Sequence, residues 1–224
     1  MRLGILGGIG PEATGYLYST VMHRLKKTGR IKHNTDYPHI MLNSISAPEL
    51  TSLNFNPTML HPYIGGIKEL AAWRPDCIVM ACNTIHLYRD ILMKESGYTN
   101  IISLPALVKN RLIQSPSPIC IVGTPLTITD GLYHFPECTY RNPNETDRNE
   151  IGNIIDDYNL RGELEKNQTR LIKIVEQQKQ NGAKTIVAAC TEISELLHGV
   201  TLPDTTLVDT LEILIEYLVQ KCTP

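Results

Sequence analysis

Two short stretches of this chain repeat one pattern and constrain what it can fold into. Residues 78–85 read IVMACNTI, and residues 186–193 read IVAACTEI. Each apolar run predicts a buried strand, and the small polar residues after each cysteine predict the start of a helix. The pattern therefore places one thiol, that of Cys82 or Cys190, at the carboxyl end of each strand.

The rest of the chain alternates short apolar runs with amphipathic segments. Besides the two cysteine stretches, strands are predicted at 2–6, 38–45, 100–104, 118–122 and 206–208. Helices are predicted at 11–28, 57–73, 83–94, 105–114, 150–158, 163–180 and after Asp209, with an exposed loop at 141–149. Strands that alternate with helices indicate an α/β fold with parallel sheets and right-handed crossovers.

The spacing of the motifs indicates two related halves. A glycine-containing turn follows the first strand of each half, and Gly7 lies 75 positions before Cys82 while Gly123 lies 67 positions before Cys190. The last helix comes after the second copy is complete and is expected to return to the first half. We therefore predict an N-terminal α/β domain of residues 1–97 plus 208–224 and a C-terminal α/β domain of residues 98–207.

Composition excludes several classes of function. The 224 residues carry a net charge of −2 and no basic stripe, so no nucleic-acid partner is expected. No apolar run reaches the roughly 18 residues of a membrane helix. The six cysteines include no CxxC pair, which argues against a structural zinc site, and their context predicts a reducing cytoplasm.

The positions of Cys82 and Cys190 permit acid–base chemistry. Ligands bind at the carboxyl ends of parallel strands, and a helix N-terminus favours a thiolate. Two equivalent thiols suit a reaction in which one removes a proton from carbon and the other returns it from the opposite face. Side chains of Asn83, Thr84 and Thr191 and the amides of the Gly7-Gly8 and Gly123-Thr124 turns are candidate donors to a substrate.

Other interpretations remain open from the residues alone. One cysteine could be a nucleophile, although the nearest histidine, His86, is expected to point away down its helix. Both thiols could be small buried hydrophobes that close a strand. Residues 8–13 match GxGxxA of dinucleotide-binding proteins, but the second strand ends without an acidic residue for a ribose. A non-catalytic binding protein for a small acid is the remaining alternative.

Four motifs resemble those of one enzyme family. Residues 4–14 (GILGGIGPEAT), 81–86 (ACNTIH), 123–125 (GTP) and 189–193 (ACTEI) are similar, in order, to the signatures of the cofactor-independent aspartate/glutamate racemases, and most of all to the archaeal-type aspartate racemases. The resemblance implies two pseudo-symmetric Rossmann-like domains, an active site in the cleft between them and a homodimer. It also implies racemisation, with aspartate the expected substrate, by two cysteines without pyridoxal phosphate or metal.

The same resemblance assigns roles to residues. It makes Cys82 and Cys190 the catalytic acid/base pair. It places the substrate's α-carboxylate and amino group against Asn83, Thr84, Thr124 and Thr191. Gly8 and Glu192 are two further candidate substrate-binding residues.

The chain departs from the family where the substrate side chain should bind. Aspartate racemases carry an arginine and a lysine there, and the corresponding positions are Leu50 and Leu160, with Arg161 one step further on. Arg161 is the candidate cation for a side-chain carboxylate. If neither Arg161 nor another cation reaches the site, the substrate is not expected to be strictly aspartate. Glutamate or a broader set of amino acids is the near alternative to aspartate. The loop from Ser46 to Asn56 is the predicted lid.

Overall fold

The computed structural model describes residues 1–50 and 56–223, which form two compact units. Among these residues, unit 1 holds 1–49, 56–104 and 211–223, and unit 2 holds Leu50 and 105–210. Residues 51–55 of the predicted lid lie outside the described residues. No helix in the described part of the chain is long and apolar enough to cross a membrane.

Unit 1 is built on a parallel sheet with the strand order β2-β1-β3. Its strands are β1 (Arg2–Gly7), β2 (His39–Ser44) and β3 (Cys77–Met80). Its α-helices are α1 (Pro11–Lys27), α2 (His61–Ala72) and α3 (Arg89–Ser96), with 3₁₀ helices at Asn34–Asp36, Pro57–Leu60 and Thr84–Tyr88. A single parallel bridge joins Ile78 of β3 to Ile101 and extends the sheet by one position.

Unit 2 is built on a second parallel sheet with the strand order β4-β5-β6. Its strands are β4 (Ile119–Gly123), β5 (Thr185–Ala189) and β6 (Thr206–Asp209). Its helices are α4 (Leu104–Ile113), α5 (Pro125–Thr129), α6 (Glu145–Arg161), α7 (Leu164–Gln180) and α8 (Thr191–Leu196). The last helix, α9 (Thr210–Cys222), belongs to unit 1 from Leu211 onward. A parallel bridge joins Ile119 of β4 to Tyr140.

The two sheets repeat one arrangement, which confirms the predicted α/β class with related halves. In unit 1 the order β2, β1, β3, Ile101 corresponds to Tyr140, β4, β5, β6 in unit 2. The cysteine strands β3 and β5 thus occupy equivalent positions, each beside the first strand of its half. The helix that ends each half belongs to the other unit, since α4 from Pro105 lies in unit 2 and α9 from Leu211 lies in unit 1.

Burial explains why β3, β4 and β5 consist almost entirely of apolar residues. Every residue of β3, β4 and β5 is buried, as expected for parallel strands covered on both faces. The helices cover the sheets with one apolar face. In α1 this face carries Leu17, Val21 and Leu25 at a spacing of four residues.

Three sequence predictions of local structure were wrong. The strand at 100–104 is only the bridge at Ile101, because α4 already begins at Leu104. The loop at 141–149 ends early, since the side chain of Asn144 accepts a hydrogen bond from Asp147 N and starts α6 at Glu145. The segment after Cys82 begins as the 3₁₀ helix Thr84–Tyr88 and becomes α-helical only at Arg89.

Candidate active site

The opening Gly7-Gly8 turn is a tightly fitted structural element. A Cβ on Gly7 would stand 2.6 Å from the Oγ1 of Thr14, and one on Gly8 would stand 2.6 Å from the amide nitrogen of Ile45. Gly8 also has a φ of +86°, which favours glycine. The Thr14 hydroxyl accepts the Gly8 N–H at 3.2 Å and donates to the Gly10 carbonyl at 3.1 Å. The amide of Gly8, a predicted substrate donor, is thus engaged by Thr14.

Cys82 follows the end of β3 at the carboxyl edge of the first sheet. The Ala81 amide donates to the Leu6 carbonyl at 3.0 Å and holds the chain against β1 up to this point. The thiol residue itself is partly exposed, whereas Asn83 and Thr84 are buried at 2% and 3% exposure. The structure therefore brings three predicted site residues to one strand end.

Tyr63 of α2 is a neighbour of Cys82 that the sequence interpretation missed. Its side chain is fully buried, and its hydroxyl donates to the Pro48 carbonyl in the loop after β2. Burial raises the pKa of Tyr63 above its ordinary value, and the charges of Cys82 and Glu49 raise it further. Tyr63 therefore stays neutral and anchors that loop beside the first cysteine.

His86 lies one turn beyond Cys82 and is buried at 7% exposure. Neither ring nitrogen has a hydrogen-bond partner among the described residues. Burial lowers the pKa of His86 to about 3, the Arg89 charge adds to this, and the nearby Met80 backbone opposes it in part. The imidazole is therefore neutral at physiological pH.

Cys190 occupies the equivalent position at the end of β5. Gly123 of β4 pairs with Ala189, and a Cβ on Gly123 would stand 2.7 Å from the Ala189 carbonyl oxygen. The glycine thus lets β4 approach the strand end that carries the thiol. Cys190 is buried at 7% exposure and has extended backbone angles at the N-cap of α8.

Glu192 connects the polar groups around Cys190. Its Oε2 lies 2.7 Å from the Cys190 sulfur and 2.9 Å from the Thr191 hydroxyl oxygen, and it accepts a hydrogen bond from each. The residue is buried at 9% exposure. The sequence predicted a thiolate favoured by a helix N-terminus at this position. The thiolate remains a prediction, and the structure adds that the Glu192 carboxylate lies within hydrogen-bond distance of the sulfur.

Thr124 follows β4 at the same edge of the second sheet. Its hydroxyl oxygen accepts the Thr127 N–H at 3.1 Å, which caps α5, and donates to the Thr127 hydroxyl at 3.0 Å. Thr124 is buried at 3% exposure. Thr124, Cys190, Thr191 and Glu192 therefore lie at the carboxyl ends of two adjacent strands of unit 2.

The residues considered for the substrate side chain differ in their surroundings. Leu50 is buried at 4% exposure, whereas Leu160 near the end of α6 is 80% exposed. Arg161 is exposed at the last position of α6, and its charge contributes to lowering the pKa of Asp157. A role for Arg161 in binding remains a prediction.

The chain resembles known proteins over most of its length. Its fold matches that of Picrophilus torridus aspartate racemase (TM-score 0.76, 20% identity, 99% of this chain and 94% of that chain). It also matches an aspartate racemase homologue from Pyrococcus horikoshii OT3 (TM-score 0.71, 22% identity, 100% and 99%). At these identities the likeness concerns the fold.

Sequence comparisons place the chain in a family. It is 28% identical over 137 residues to the broad specificity amino-acid racemase RacX of Bacillus subtilis (strain 168). That match spans 58% of this chain and 58% of RacX, less than two thirds of the relative. The model of the Asp/Glu/Hydantoin racemase family matches residues 6–218. The chain therefore belongs to the Asp/Glu/Hydantoin racemase family of isomerases.

Proposed function

We propose that this chain is a cofactor-independent amino-acid racemase that interconverts L- and D-aspartate with Cys82 and Cys190 as its two bases. The observation that carries the proposal is the repetition of one cysteine position. Each thiol follows the strand beside the first strand of its half, at the carboxyl end of a parallel sheet. Membership of a racemase family gives the reaction class.

Two thiols suffice for the proton balance of this reaction. One sulfur, as thiolate, takes the α-proton while the other, as thiol, gives its proton to the opposite face of the same carbon. The number of protons on the pair is unchanged, and the charge has moved from one sulfur to the other. The reverse reaction swaps the roles, so acid and base must be the same residue type.

The polar groups beside the thiols are suited to hold the substrate. We assign the α-carboxylate and amino group to Asn83, Thr84, Thr124 and Thr191. Hydroxyl and amide groups in a buried setting stabilise charge that develops at the α-carbon and carboxylate in the transition state. Asn83 and Thr191 directly follow Cys82 and Cys190 in the chain, and Thr84 comes one residue later.

The substrate side chain separates two candidate specificities. Aspartate is the first candidate, with Arg161 as the cation for its side-chain carboxylate. A broad set of amino acids is the second, and both the likeness to RacX and the apolar Leu50 favour it. A carboxylate buried without a cation costs several kcal/mol or shifts its pKa instead, so Leu50 would disfavour a strictly acidic substrate.

Chiral chromatography of aspartate incubated with the purified protein tests the reaction. Without added pyridoxal phosphate or metal, L-aspartate should yield D-aspartate, and Cys82→Ala and Cys190→Ala should each abolish this. Cys120→Ala is the matched control, because Cys120 is a buried thiol within β4 whose pKa burial raises to about 12. Full activity in either alanine variant would contradict the two-base mechanism.

A panel of amino acids tests the substrate. Aspartate, glutamate, neutral and basic amino acids are compared at equal concentration in the same assay. Racemisation confined to aspartate, and lost in Arg161→Ala, supports the first candidate. Turnover of neutral or basic amino acids that Arg161→Ala leaves unchanged supports the second.

A further inference from the structure

The 131–142 segment runs beside β4 and extends the sheet of unit 2 by one bridge. Two backbone hydrogen bonds of 2.9 and 2.8 Å join Ile119 of β4 to residues 139–141. The Ile121 amide, two positions further along β4, instead donates to the side-chain Oδ1 of Asn142 at 3.0 Å. The Asn142 side chain therefore takes the place that a backbone carbonyl would have in a continuing strand.

The nitrogen of the same side-chain amide lies against a histidine of the segment. Asn142 Nδ2 is 2.7 Å from Nε2 of His134. Because Asn142 Oδ1 accepts the Ile121 N–H, the orientation of this amide is fixed, and the group that meets the ring is the NH₂ donor. Nε2 of His134 is therefore the acceptor, and the ring is neutral with its proton on Nδ1.

Protonation of His134 is incompatible with this pair of hydrogen bonds, since an imidazolium ring has no acceptor nitrogen. Rotation of the Asn142 amide would offer Oδ1 to the protonated ring in a strong, charge-assisted hydrogen bond. The same rotation would turn Nδ2 toward the Ile121 N–H and leave two donors facing each other. Protonation therefore breaks either the contact of Asn142 with His134 or its contact with Ile121.

The ring of His134 packs on that of Tyr140, with 4.5 Å between the ring centroids. Burial raises the pKa of Tyr140 to about 12, with smaller contributions from the Phe135 amide, Cys138 and Glu137, so the phenol stays neutral. Burial lowers the pKa of His134 below its ordinary value of 6.5. The imidazole is therefore expected to titrate below pH 6.5.

The charged side chains of the segment have partners outside it. Glu137 pairs with Lys109 of α4 at 2.8 Å. The Arg141 guanidinium donates to the Asn181 carbonyl after α7. Protonation of His134 is thus opposed by burial rather than by a neighbouring cation.

We infer that His134 and Asn142 form an acid-released clasp that connects the 131–142 segment to β4. At neutral pH the ring keeps the Asn142 amide oriented on the Ile121 N–H, and protonation of the ring releases it. The segment begins two residues after α5, whose N-cap is Thr124, so acid loosens the chain that follows a predicted site residue. The clasp lies within unit 2 and does not depend on the proposed function.

Nitrogen–proton NMR of the whole chain, with the pH lowered from 7.5 to 5.0, follows the clasp. The Ile121 amide and the His134 ring should titrate together, with one midpoint below pH 6.5. Relative to their intrinsic rates, the amides of 131–142 should exchange about fivefold faster below that midpoint than above it, as expected for the loss of one hydrogen bond.

Two variants change the clasp in different ways. His134→Phe keeps an aromatic ring against Tyr140 but has no proton site, so the Ile121 amide should no longer titrate. Asn142→Asp presents a carboxylate, which favours the charged ring and should raise the His134 midpoint by about 1 pH unit. His198→Gln is the matched control, because it removes an exposed histidine of the same unit, and it should leave the Ile121 titration in place.

An Ile121 amide that does not follow the His134 titration would overturn the inference. The same Ile121 titration in His134→Phe would also overturn it. If His134→Phe does not fold, Asn142→Asp decides the question, since an unchanged or lowered His134 midpoint refutes the clasp. None of these readouts uses a substrate, so the clasp and the racemase proposal can each fail while the other stands.

Discussion

His86 should make the stability of this protein depend on pH between 6.5 and 3. Its pKa in the folded state is about 3 against an ordinary value of 6.5, chiefly because of burial. Above pH 6.5 neither the folded nor the unfolded state binds a proton at this ring. Below 6.5 the unfolded state binds one and the folded state does not. Stability is therefore full above pH 6.5 and falls as the pH decreases toward 3.

The size of this effect follows from the two pKa values. Each pH unit between them is worth about 1.4 kcal/mol in the free energy of unfolding. Lowering the pH from 7.5 to 5.0 crosses about 1.5 units below the unfolded pKa of 6.5, so His86 alone should cost about 2 kcal/mol. His86→Leu lacks this proton site and should not show this part of the loss.

Urea unfolding followed by tryptophan fluorescence is the assay. Trp73, the one tryptophan of the sequence, lies in unit 1 together with His86 and reports on that unit. The difference in stability between the unchanged protein and His86→Leu should shift by about 2 kcal/mol from pH 7.5 to 5.0. Other titrating groups cancel in this difference. The same pH dependence in both proteins would refute the reasoning.

Four further substitutions test stability. Gly8→Ala places a side chain on a residue with a positive φ, where its Cβ would clash with Ile45, so it should lower the midpoint of thermal unfolding. Gly15→Ala is the control, because Gly15 lies in α1 with open space around it. This variant should raise the free energy of unfolding by about 0.5–1 kcal/mol. Asn144→Ala removes the N-cap of α6 and should cost about 1 kcal/mol in urea unfolding. Tyr63→Phe removes the hydrogen bond to the Pro48 carbonyl and should cost about 1 kcal/mol and loosen that loop in amide exchange. An unchanged stability in Gly8→Ala, Asn144→Ala or Tyr63→Phe would contradict the contact described for that residue.

Much of the fold could be predicted because β3, β4 and β5 are buried along their whole length. The apolar runs before Cys82 and Cys190 have no polar interruptions, and Gly or Pro residues separate them from the helices. Helix starts were harder to predict. The side chain of Asn144 caps α6 from within a polar segment, and the composition of that segment is equally typical of a loop.

The candidate site was less predictable, since its contacts come from different parts of the chain. The sequence motif indicated that Glu192 belongs near Cys190, but not that its carboxylate lies within hydrogen-bond distance of the sulfur. Tyr63 carries no motif. Its role depends on how α2 packs against the sheet, and hydrophobic periodicity does not specify which polar group lies opposite.

The most direct test of the central claim is exchange of the α-proton in D₂O, measured by proton NMR for each enantiomer separately. The substrate is aspartate or the best amino acid from the panel. The account predicts that Cys82→Ala and Cys190→Ala each lose racemisation, and that each still exchanges one enantiomer, a different one in each variant. Exchange of the same enantiomer by both variants, or racemisation that survives loss of either thiol, would contradict it.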